Sequence, residues 1–90
     1  MKSNRPQNSG KQSRPASMLG VGLDNTDGEA RITRGKNFTL LGGSEETHSF
    51  MQETAVKVNE KLERKGQTLD ETSPEEFREI LFDVVDKIRR

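Results

Sequence analysis

The chain has no cysteine, tryptophan or tyrosine, and only three prolines. Without cysteine there is neither a disulfide framework nor a thiolate metal site, and the setting this points to is a reducing, cytoplasmic one. Without Trp or Tyr, base stacking on a nucleic acid falls to four phenylalanines, residues a small core needs for itself. No long apolar run is present. The longest, Met18 to Leu23, is far too short to span a bilayer, and nothing at the start reads as a secretion signal. A soluble chain with no membrane partner is expected.

Leu, Ile, Val and Phe together number 19, and none precedes Leu19. Ninety residues allow one domain at most, and about 73 of them could form it. Domains of that size are marginal unless stapled or paired. The net charge is zero, yet residues 1–17 carry four bases and no acid, whereas residues 44–90 hold twelve acids and eight bases. Opposed ends of this kind bear on the choice of partner.

Residues 1–17 are rich in Ser, Asn, Gln, Lys, Arg and Pro, a composition too poor in apolar side chains to offset ordering entropy. They read as a disordered basic tail, and residues 18–90 as one small α+β domain. In that domain a small antiparallel β-meander is expected over about 18–42. Leu19, Val21 and Leu23 alternate with small residues, Ala30 and Ile32 with polar ones, and Phe38 and Leu40 with Asn37 and Thr39. Asn25 to Gly28 has the composition of a four-residue turn. A three- or five-residue loop after the second strand keeps Ile32 on the face of Phe38 and Leu40.

Two antiparallel amphipathic helices follow, at about 45–65 and 74–89. Ser44 caps the first and Gly66 stops it, with His48, Met51, Ala55, Val58 and Leu62 forming its stripe. Ser73-Pro74-Glu75-Glu76 reads as a capping box for the second, whose stripe runs through Phe77, Ile80, Leu81, Val84, Val85 and Ile88. Leu69 anchors the connection between them.

The block from Gly22 to Thr54, GLDNTDGEARITRGKNFTLLGGSEETHSFMQET, resembles a stretch in small uncharacterised bacterial proteins. It covers roughly a third of the chain. The resemblance implies a bacterial setting and carries no activity, cofactor or partner with it.

Candidate chemistry is sparse. Ser44 lies one turn before His48, the only histidine, but a helix cap and an apolar stripe account for both. Asp24, Asp27 and Glu29 miss the calcium-loop register, because the position five before Gly28 is Leu23. Gly42-Gly43-Ser44 lacks a phosphate-binding lysine and is followed by two glutamates. The expectation is no enzyme, metal, cofactor or small-molecule substrate.

What stands out is apolar residues off the stripes. Val56 points about 140° from Met51 and Phe50 about 100° off on the other flank, while Phe82 lies opposite Phe77, Leu81 and Ile88. Phe50, Val56 and Phe82 suggest a non-catalytic module that self-associates or binds a protein through its outer helix faces. The alternative is a nucleic-acid- or ribosome-associated accessory protein. It would be held by Lys2, Arg5, Lys11 and Arg14 in the tail, helped by Arg31, Arg34 and Lys36.

Overall fold

The computed structural model describes residues 15–90. It is an α+β arrangement in chain order: β1 (Met18–Gly22), β2 (Ile32–Arg34), β3 (Phe38–Gly42), α1 (Glu45–Arg64), a short 3₁₀ turn (Leu69–Glu71) and α2 (Pro74–Arg89).

The helices follow their caps. Ser44 accepts from the Thr47 N–H at 3.2 Å, with Glu45 and Glu46 in the first turn where the helix dipole favours acids. α1 ends in a paired closure, Gly66 N–H to Glu63 O and Gln67 N–H to Leu62 O, both 3.0 Å. Ser73 accepts from the Glu76 N–H at 3.1 Å with Pro74 just inside the helix. The second half of the expected capping box is not made. Glu76 instead accepts from Gln67 Nε2 and pairs with Lys65, tying α2 to the end of α1. Lys61 pairs with Asp83 and Lys65 with Glu76, an order that makes the helices antiparallel. Between them Val58, Leu62, Leu69, Ile80 and Val84 form the core, with Met18, Phe77, Leu81 and Ile88 against it.

The sheet corrects the sequence reading. Its order is β1-β3-β2, with β2 antiparallel to β3 but β1 parallel to β3. It is mixed, and not an antiparallel meander. Residues 23–31 form no hairpin and no strand begins at Glu29. They make a long connection that carries the chain past β3 to its far edge. Asn25 Oδ1 accepts from the Asp27 and Gly28 N–H groups, so the expected turn exists as a side-chain-closed loop. Asp24 fixes this loop to α1 by accepting from Ser44 N (2.9 Å), Ser44 Oγ (3.1 Å) and Thr47 Oγ1 (2.7 Å).

The β2–β3 register is also the opposite of the expected one. Gly35 N–H donates to Phe38 O at 2.8 Å, leaving Lys36 and Asn37 at the tip. Thr33 therefore faces Leu40, and Ile32 faces Leu41. A one-residue change of parity exchanges the faces of a strand. Thr33 turns inward, where its hydroxyl meets His48 Nε2 at 2.8 Å and accepts from Gln52 Nε2 at 3.0 Å. Ile32 turns outward.

Helix α1 covers one face of the sheet, and glycine makes that fit possible. A Cβ on Gly20 would stand 2.9 Å from Leu40 Cδ2 and 3.1 Å from Met51 Sδ, and one on Gly22 only 2.5 Å from the Gly43 backbone. The glycine side of β1 is thus the inner side.

Candidate functional site

The consequence of that fit is an apolar outer face. In β1, Leu19 and Val21 alternate with the two inward glycines. In β3 the inward Leu40 is 3% exposed, and Leu41 points the other way. The registers align Val21 with Leu41 and Leu41 with Ile32, so one row across all three strands is Val-Leu-Ile. The neighbouring row is Leu19, Thr39 and Arg34. Leu19 is 68% exposed, Ile32 63%, Val21 54% and Leu41 37%. From these fractions the four residues expose about 400 Å² between them, within the size range of the largest apolar patch on a typical monomeric soluble protein. Leu23 continues beyond the strand, also exposed.

The period-two alternation places Leu19, Val21 and Ile32 on the buried side, whereas in the fold all three lie on the open outer face. A signal was available. In Leu19-Gly20-Val21-Gly22 a close helix demands the glycines on its side, which puts the large residues on the other.

The surface is flanked by charge of opposite sign at its two ends. At the β2–β3 turn stand Arg34 and Lys36. At the other end, residues 23–31 hold Asp24, Asp27 and Glu29 against one base, Arg31. Arg31 is drawn to Asp27 through contacts of 2.7 and 3.1 Å and also donates to Gly43 O. Its guanidinium, aided by the Glu29 N–H, lowers the Asp27 pKa from 3.8 to about 2. Asp24 is lowered as well, chiefly by the Thr47 hydroxyl and the Ser44 N–H. Arg31, Arg34 and Lys36 are therefore not one cluster. Arg31 lies at the acidic end.

Of the off-stripe residues, Phe82 is 70% exposed and Val56 49%. Phe50 is half-buried, with the Arg89 guanidinium 5.5 Å from its ring centroid. It lines an open groove of about 620 Å³ between β1 and the two helices, together with Met18, Met51, Leu81 and Val85. The three residues thus do not share one surface. Lys2, Arg5, Lys11 and Arg14 lie outside the described residues. The chain enters the described part beside the β2–β3 turn, where Met18 N–H donates to Asn37 O at 2.8 Å and Ala16 N–H donates to Asp70 Oδ1 at 2.8 Å.

The side chains of Ser44 and His48 do not address each other. Ser44 Oγ donates to Asp24 while accepting from Thr47 N. His48 is 6% exposed, with Nδ1 2.8 Å from Gly42 O and Nε2 2.8 Å from Thr33 Oγ1. A carbonyl can only accept, so Nδ1 carries the proton. In the neutral ring Nε2 then accepts from Thr33. His48 acts as a clamp between α1 and two strands.

Among the described residues no group of three or more His, Asp or Glu is placed to hold a metal ion, and no helix is long and apolar enough to cross a membrane. No protein-family model, curated protein or solved structure matches the chain.

Proposed function

We propose that this protein is a non-catalytic interaction module that binds another protein chain through exposed apolar surface. The observation that carries this is the Val21–Leu41–Ile32 row. It crosses a sheet that α1 covers on the opposite face only, among the described residues. Burying a Val, Leu or Ile side chain is worth about 1.5–3 kcal/mol, so leaving four of them more than a third open forgoes several kcal/mol of a small domain's stability. A partner recovers that free energy on docking. Phe82 on α2 and Val56 on α1 are exposed as well and offer further apolar contacts for the same activity.

Photocrosslinking in the native host tests this reading. A photoreactive amino acid is placed singly at Val21, Ile32, Val56 or Phe82, with exposed Arg64 as the control position. Discrete protein adducts from the sheet positions, absent from Arg64, are expected. If all four positions give only the control pattern, the reading is wrong.

One observation favours a nucleic-acid role as the second reading. Arg34 and Lys36 stand at the end of the sheet where the basic N-terminal segment joins. That role requires binding that falls steeply with salt and is lost on removing residues 1–17.

A further inference from the structure

We infer that the occupant of the outer sheet face is a second copy of this chain, stacked sheet on sheet with its strands running antiparallel to the first. This rests on the interaction reading above and specifies its partner.

Charge decides the orientation. The surface has an apolar middle, Arg34 in its outer row with Lys36 beside it at the β2–β3 turn, and Glu29 in the loop at the other end, where Asp27 is paired with Arg31 and Asp24 is held by the N-terminus of α1. Two-fold dimers place the same patch against itself, so each feature must find its complement on the same surface. A dyad running along the strands would gather the cationic turns of both copies at one end of the interface and the glutamates at the other. A dyad crossing the strands, between the two sheets, sets the cationic end of each copy over the acidic end of the other. It also keeps the Val-Leu-Ile rows in the middle. Like charges brought together at an interface are costly and opposite ones select the register, so the crossing dyad is the arrangement the surface permits.

Size agrees. The four residues expose about 400 Å² per copy, against about 800 Å² per partner in a standard interface, with Thr39 and Arg34 in the neighbouring row and exposed Leu23 and Glu29 in the loop beyond the strand ends adding to it. A reversible dimer is expected, with a dissociation constant on the order of 10 μM, weakened by salt.

Sedimentation equilibrium of the full chain from 5 to 200 μM provides the test (concentrations of roughly this range bracket the expected constant). Val21→Asp and, independently, Ile32→Asp should each weaken dimerisation at least about tenfold. Circular dichroism reports whether each remains folded, and Ile32 at the sheet edge serves if the β1 variant does not. Arg34→Glu should weaken the dimer about three- to tenfold, and Glu29→Lys likewise. The double variant Arg34→Glu/Glu29→Lys should return to within about twofold of the parent, because the swapped charges again face each other. A chain that stays monomeric at 200 μM, a dimer indifferent to both aspartates, or a double variant no better than its parts overturns the proposal. A monomer that still gives adducts from Val21 in the host would refute the second copy and leave the interaction module standing. A monomer without adducts refutes both.

Discussion

Replacing His48 by alanine removes the one polar residue that is buried among the described residues. The imidazole joins α1 to the end of β3 through Gly42 O and to β2 through Thr33 Oγ1, each at 2.8 Å. Without it the part-buried Gly42 carbonyl loses its side-chain donor, a deficit of about 1–2 kcal/mol. Thr33 suffers less, since its hydroxyl still accepts from Gln52 Nε2. The vacated ring volume adds a cavity cost of about 1–2 kcal/mol if the site does not collapse. Together these amount to about 3 kcal/mol, a large part of the roughly 4–11 kcal/mol expected for a domain of this size. The melting temperature should fall by about 12–24 °C. Urea unfolding followed by circular dichroism measures the loss, and an unchanged slope would show that the change lies in stability and not in compactness. His48→Gln, which retains an N–H donor, should restore about 1 kcal/mol. A loss below about 1 kcal/mol for His48→Ala would mean that the clamp contributes little and that the sheet is held by its apolar contacts alone.

Gly22→Ala should destabilise by about 2–4 kcal/mol, because the new Cβ would lie 2.5 Å from the Gly43 backbone, which cannot rotate away; a chevron or urea titration reads it, and a neutral result would contradict the close β1–β3 approach. Acid stability should depend on Asp27. Its pKa is lowered in the folded state to about 2, so its contribution is complete above the ordinary value of 3.8 and disappears as pH falls from about 4 toward 2. Asp27→Asn should flatten the stability-against-pH curve in that window and leave it unchanged in shape near neutrality; an unaltered acid slope would show that the Arg31 pair is not maintained in solution.

Much of the helical half was legible in the linear chain. Ser44, Gly66 and Ser73-Pro74 act within a few residues of themselves, so the ends of α1 and α2 follow from local hydrogen bonding, and the stripes from a 3.6-residue period. The division into helices after strands, hence the α+β class, is legible for the same reason. The sheet was not. Leu19-Gly20-Val21-Gly22 and Phe38-Thr39-Leu40-Leu41 each present apolar side chains in a way that either parity of pairing accommodates. Parity was decided by groups far away in the chain. Met51 needs the glycine side of β1, and His48 needs the hydroxyl of Thr33. Those demands turned Ile32, Leu19 and Val21 outward and placed β1 alongside β3. The interaction surface therefore belongs to the tertiary structure, because only the packing of α1 against the sheet selects which side of three ambiguous strands is left bare.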